Sequence, residues 1–263
     1  MKSVSPLESR LESREELPSA RWRVPRWKRC LDLAVILIFA PVLAVLMVGI
    51  ALLIKVVSRG PVLFKQERMG LRGTRFLCLK FRTMHAGAPT VSHEKHLMEL
   101  MRSDRPMQKL DGEDPRLIPV ASLLRATGLD ELPQLLNVLR GEMSLVGPRP
   151  CTVQEYAAYS EAQRARLHVL PGLTGLWQVS GKNRTTFQRM IELDVCYTRL
   201  SCFWLDVEIL RRTPVVLSQQ VLETIQRRRG NEISTTTSRL FPGKGRRTNR
   251  SSKKNRSNDY RTN

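Results

Sequence analysis

No two cysteines in this chain are spaced as CxxC. The five present (Cys30, Cys78, Cys151, Cys196 and Cys202) make no metal-ligand pattern with the four histidines. Structural zinc is therefore not expected, and an odd count without a cleavable signal peptide points to reduced thiols in a cytosolic setting. The phosphate loops GxGxxG and GxxxxGKS/T are missing, so no standard nucleotide fold is implied. There is no internal repeat, and no RNP, helix-turn-helix or zinc-finger motif makes nucleic acid the expected partner. Acids are scarce: 24 Asp and Glu stand against 44 Lys and Arg, a net charge of +20 over 263 residues. That balance asks for a polyanionic partner, which composition alone leaves as nucleic acid, an anionic membrane or a phosphorylated substrate.

The charge is uneven. From Arg211 onward there are 14 Lys/Arg and three acids, so about +11 of the total lies in that segment. Its end, "PGKGRRTNRSSKKNRSNDYRTN", has almost no apolar residues and predicts a disordered basic tail, as does the mixed-charge start of the chain. The expected division is a disordered tail over 1–25, a membrane helix over 26–57, a folded domain over 58–226 and a basic tail over 227–263.

What the chain does have is one long hydrophobic run. Leu33 to Ile54 holds 22 residues without a charge, long enough to span a membrane. Pro41 lies within it, where it removes a backbone hydrogen bond and predicts a kink. Basic residues flank both ends, Arg26, Lys28 and Arg29 before and Lys55, Arg59 and Lys65 after. The positive-inside rule disfavours exporting either flank. A helix that enters, bends at Pro41 and returns satisfies both; an ordinary kinked span is the alternative. Asp32, at the apolar boundary, is expected to pair with Lys28 or Arg29 at headgroup level.

Beyond the run, "PVLFKQERMGLRGTRFLCLKFRTM" reads as two strands joined by a Gly-containing turn, carrying Lys80 and Arg82 among its cations. Short helices are expected at "HEKHLMELMRS" and "PVASLLRA", and a longer one over 153–167. Two more amphipathic helices follow, on which Asp194, Asp206 and Glu208 read as surface acids. In "RATGLDELPQLLNVLRGEMSLVGPRP" the leucines 132, 135, 136 and 139 recur as a core-facing stripe, with Gly141 as the stop signal. Pro133 is tolerated only in a first turn, so that helix starts near Leu129 and puts Asp130 and Glu131 at its N-terminus. Acids there are routine capping. They also suit a metal-bound phosphate ester, given Arg125 upstream and Arg149 between two prolines.

Taken together, "KRCLDLAVILIFAP", "GPVLFKQERMG", "CLKFRTM", "DPRL", "LLRATGLDELPQLLNVLRGEMSLVGPRP", "PGLTGLWQVSGKN" and "ELDVCYTRLSCFWLDVEIL" resemble the bacterial sugar transferases, the monotopic polyprenyl-phosphate phosphoglycosyl transferases. The motifs cover residues 28–218 in order. The resemblance implies an α+β fold: a re-entrant N-terminal membrane helix and a small membrane-associated catalytic domain, mostly helical with a short β-hairpin. It places the catalytic domain on the cytoplasmic face of the inner membrane. It implies Mg²⁺-dependent transfer of a sugar 1-phosphate from a UDP-sugar to polyprenyl (undecaprenyl) phosphate, releasing UMP, as the first membrane step of exopolysaccharide or surface glycan synthesis. The family dyad falls on Asp130, as nucleophile, and Glu131, both also candidate metal ligands. Arg125, Arg149, Lys80, Arg82 and Gln178 are the expected substrate- or phosphate-binding residues. Membrane lipids are the other partner, no nucleic acid is expected, and a homo-oligomer is allowed. The chain departs from the family pattern at Ala40, Gly128, "VLPG" and Lys182, none of which removes the dyad. The competing interpretation from composition is a basic membrane-anchored adaptor for anionic lipid or nucleic acid.

Overall fold

The apolar run forms α1 (Arg26–Val57), a 32-residue helix about 48 Å long at ~1.5 Å per residue. Pro41 lies inside it. Among the described residues it is the one helix long and apolar enough to cross a membrane by length and composition. The computed structural model describes residues 24–85, 87–88, 98–107 and 114–240, with side chains unspecified at 183 and from 227 onward. Residues 1–23 of the expected N-terminal tail, 241–263 of the expected basic tail and 93–97 of the helix expected from His93 lie outside the described residues, and 98–101 are helical.

One stripe of α1 is buried: Lys28, Asp32, Ile36, Ile50 and Ile54. Leu37, Val45 and Val56, on its other faces, are 76%, 77% and 85% exposed. The buried stripe meets two hydrophobic clusters. Ile36 joins Cys78, Val138, Met143 and Tyr197; Ile50 and Ile54 join Phe81, Ile118 and Leu124. Leu132 packs against both.

The polar end of α1 corrects one expectation. Asp32 pairs with neither neighbouring cation as its main partner; it accepts from Ser144 Oγ and the Leu145 N–H, each at 3.0 Å. Lys28 instead reaches Asp206 at 2.5 Å and the Tyr197 hydroxyl at 2.9 Å, with both charged groups fully buried. Arg29 donates to the carbonyls of Val138 and Leu139. These groups serve the domain rather than a headgroup layer, because a buried carboxylate needs fixed donors. Asp206 and Asp194 are accordingly interior residues, not surface acids. Asp194 pairs with the fully buried Arg166, whereas Glu208 stays on the surface with Arg211 and Arg212.

The hairpin forms as the two runs around a Gly-containing turn suggest. Strands β1 (Leu63–Met69) and β2 (Arg75–Phe81) pair antiparallel from Leu63↔Phe81 to Met69↔Arg75. Helix α2 (Ala121–Thr127) ends at Gly128, whose φ of 72° is a left-handed conformation that glycine adopts without cost. A 3-10 turn, Leu129–Glu131, then leads through Pro133 into α3 (Gln134–Arg140), closed by Gly141 at φ 79°. The helix thus starts later than expected, and its face is rotated. Gln134, Leu135, Asn137 and Val138 are buried, while Leu136 and Leu139 are 36% and 45% exposed. Asn137 fixes that rotation: it accepts from the Leu79 N–H at 3.0 Å and donates to the Leu77 carbonyl at 2.8 Å.

A second, parallel pair was not anticipated from the pattern: β3 (Ser144–Val146) beside β4 (Gly172–Thr174). The single helix expected over 153–167 is broken into α4 (Val153–Ala158), α5 (Glu161–Arg164) and a 3-10 turn, because Tyr159 and the N-cap Ser160 are extended. Helices α6 (Leu176–Val179), α7 (Phe187–Leu200) and α8 (Phe203–Leu240) complete the fold. The backbone of α8 is helical as far as Leu240, past the boundary expected at 226. The chain divides into two units, Met1–Leu222 and Glu223–Asn263, and everything that follows concerns the first.

Candidate active site

Asp130 and Glu131 sit on the short 3-10 turn between α2 and α3. Asp130 is buried, 8% exposed, in the wall of a cavity of about 320 Å³. Lys80, Arg125, Glu131, Arg149 and Gln178 line the same cavity. These residues come from β2, α2, the turn, the Pro148–Pro150 segment and α6, so the fold gathers positions widely separated in sequence.

Adjacent carboxylates raise the cost of ionising each other, and here a cation offsets it. Lys80 Nζ lies 2.7 Å from Glu131 Oε1, with both side chains about a quarter to a third exposed. Arg149 enters the cavity from a main chain held by Arg166, whose Nη2 donates to the Arg149 carbonyl at 2.8 Å. The Arg149 side chain donates to Glu155 Oε1 at 2.8 Å. Among the described residues the buried Gln178 Oε1 and Trp177 Nε1 have no hydrogen-bond partner, and both residues line the cavity. An unpaired buried acceptor and donor beside each other are costly unless a ligand completes them.

Arg82 does not line the cavity. It follows the last paired residue of β2, so strand alternation no longer controls its direction. Its guanidinium donates to the carbonyls of Ser58 (2.9 Å) and Arg59 (2.8 Å), satisfying the chain where α1 ends. Three contributors were not singled out in the sequence: Arg68, Trp177 and Cys78. Burial pushes the Cys78 thiol up, so it stays protonated at neutral pH and is no rival nucleophile.

For a metal, the described residues contain no group of three or more His, Cys, Asp or Glu. Mg²⁺ takes one or two carboxylates and completes its shell with water and substrate phosphate. The dyad offers that donor set.

Asp130 and Glu131 share this cavity with three guanidiniums (Arg68, Arg125 and Arg149) and two lysines (Lys80 and Lys182). The bacterial sugar transferase profile matches residues 23–220. The chain is 43% identical over 155 residues to a galactosyl transferase CpsE of Streptococcus agalactiae, covering 59% of this chain and 34% of that protein. It is 39% identical over 165 residues to an undecaprenyl-phosphate galactose phosphotransferase of Salmonella typhimurium, covering 60% and 33%. It is 40% identical over 205 residues to a UDP-glucose:undecaprenyl-phosphate glucose-1-phosphate transferase of Caulobacter vibrioides, covering 74% and 71%. The chain spans about a third of the length of the first two of these relatives. With the profile covering the cavity, the dyad and all of α1, the chain belongs to the bacterial sugar transferase family.

Proposed function

We propose that this chain transfers a sugar 1-phosphate from a UDP-sugar to undecaprenyl phosphate, giving a polyprenyl-diphosphate-linked sugar and UMP. The step would open an exopolysaccharide or surface glycan pathway. The observation that carries this is Asp130, buried in a cavity wall shared with Lys80, Arg68, Arg125 and Arg149. The names of the Salmonella and Caulobacter relatives supply the substrate class.

In the first half-reaction an Asp130 oxygen attacks the phosphorus that carries the sugar. The bond from that phosphorus to the bridging oxygen breaks, and UMP leaves with the electron pair. In the second, a phosphate oxygen of the lipid attacks the same phosphorus, and the Asp130 carboxylate is released. The guanidiniums and Lys80 hold the phosphates and the charge that develops on them. Gln178 and Trp177 offer an acceptor and a donor to the nucleotide or sugar. Mg²⁺, when bound at the dyad, offsets the repulsion between carboxylate and diphosphate. UMP release from a panel of UDP-sugars with undecaprenyl phosphate tests the assignment, and it should stop in EDTA. Glu131→Gln should lower turnover by about a hundredfold. Full turnover in EDTA would remove the metal, and no UMP from any sugar would remove the function.

The membrane arrangement belongs to the same proposal: α1 is re-entrant, with both ends on the cytoplasmic face of the inner membrane. Its support is the burial of Lys28 and Asp32 at one end and Ile54 at the other against a single domain. Cysteines placed at Arg21 or Arg59, with Cys30 and Cys202 replaced by serine, should escape an impermeant thiol reagent in intact cells. Pro41→Leu restores the missing hydrogen bond and favours a straight span, so label should then appear at position 21. Labelling there with Pro41 in place would mean that the helix crosses.

A further inference from the structure

Glu155 looks at first like an ordinary helix cap. Its N–H donates to Thr152 Oγ1 at 3.1 Å, and its Oε2 accepts from the Thr152 N–H at 2.6 Å, a complete capping box at the start of α4. The next helix, α5, has the same device with Ser160 and a neutral residue, Gln163. A cap therefore needs no charge, and burying one is costly unless it is paired. Yet Glu155 is fully buried.

Its charge is used elsewhere. Oε1 accepts from Arg149 Nη1 at 2.8 Å, and Arg68 Nη1 lies 3.7 Å from Oε2. Burial alone would raise the Glu155 carboxyl, but Arg149 and Arg68 outweigh it and hold it below the usual carboxylate range. Arg68 is fixed further by the Pro150 carbonyl at 3.0 Å and by Gln66 at 2.7 Å. The Arg149 main chain is set by its flanking prolines and by Arg166. Glu155 directs the Arg149 guanidinium and adds its charge to the contacts that already orient Arg68, and both arginines line the cavity that contains Asp130.

We infer that Glu155 is a positioning residue: one buried carboxylate shared by Arg68 and Arg149 holds them as a preformed cradle for a substrate phosphate. The inference rests on the function proposed above. Two cations on one anion leave a single net positive charge facing the cavity, oriented before substrate arrives. The phosphate is either in the diphosphate of the UDP-sugar or on the polyprenyl acceptor.

Glu155→Gln tests it in the full-length protein. A glutamine has one acceptor oxygen for two tasks and no charge, while Gln163 shows that glutamine can complete a cap in this chain. The expected result is at least a tenfold fall in kcat/KM with a melting temperature close to the parent. A rise in KM for the UDP-sugar assigns the cradle to the donor, and a rise for polyprenyl phosphate assigns it to the lipid. Thr152→Ala, which removes the other half of the cap, should lower the melting temperature and leave kcat/KM within twofold. In an Arg149→Gln background, Glu155→Gln should have little further effect, since the two act as one unit. Should Glu155→Gln melt too early to assay, the double variant should melt above it; melting below it overturns the pairing. Parent-like kcat/KM in folded Glu155→Gln, or independent multiplication of the two effects, removes the cradle. A parent enzyme inactive on every UDP-sugar removes the function instead.

Discussion

Asp130→Asn should reduce UMP release by at least about a thousandfold while leaving the fold and membrane association unchanged. The substitution is isosteric, so the buried turn keeps its packing, but a neutral amide oxygen is a poor nucleophile toward phosphorus. No other group in the cavity replaces it: Cys78 is held protonated by burial, and Glu131 is engaged with Lys80. A covalent route makes a second, independent demand. Without lipid acceptor, the parent should release UMP only in an amount matching the enzyme and should retain the labelled sugar phosphate. Asp130→Asn should retain none. Retention of label by that variant would place the nucleophile elsewhere, and lipid-dependent turnover without any retained label would favour direct transfer.

The largest effect on stability is expected from Gly172→Ala. A Cβ there would lie 2.0 Å from the Gly147 nitrogen and 2.4 Å from the Thr174 oxygen, both backbone atoms that cannot turn aside. Gly147 and Gly175 face the same crowding, so three glycines allow β3 and β4 to approach and the Pro148–Pro150 segment to pass beside them. Separating these strands disturbs Ser144 and Leu145, the partners of Asp32, and the main chain that delivers Arg149. Overpacking of this kind costs about 3 kcal/mol or more, and the melting temperature should fall by roughly 6–12 °C. Gly141→Ala provides the contrast. It has a φ of 79° but nothing within 4 Å of its Cβ, so only the conformational cost of about 1–2 kcal/mol applies. Equal losses in the two variants would show that backbone conformation, not the close strand approach, sets the effect.

The sequence made some of this legible and concealed the rest for identifiable reasons. The hairpin is two seven-residue strands around a glycine-containing turn, and α7 coincides with "FQRMIELDVCYTRL". Strands of three residues centred on glycines have no such signature, so the parallel pair was invisible. The leucine stripe misled because Pro133 and the preceding 3-10 turn delay the helix and rotate its face, a decision made by Asn137 against β2. In the site, adjacent acids and proline-flanked Arg149 stand out locally, and they line one cavity with Lys80, Arg125 and Gln178. Arg82 looked equivalent to Lys80 two residues away, but it lies beyond the last paired residue. Buried ion pairs such as Lys28–Asp206 join residues 178 apart and leave no local trace. Glu155 was readable as a cap and unreadable as a partner of two arginines.

Leu132, the second residue after Asp130, packs against both clusters that grip α1. Helix α1 is thus a structural member of the domain and not an exchangeable tether. Its inward residues must match the domain, while its outward residues need only be oily. Grafting an unrelated hydrophobic helix in its place would keep an apolar segment yet leave Asp206 without Lys28 and Ser144 without Asp32. Inheritance should therefore treat the two parts as one piece, with drift free on the outer surface of the helix and coupled on the inner one.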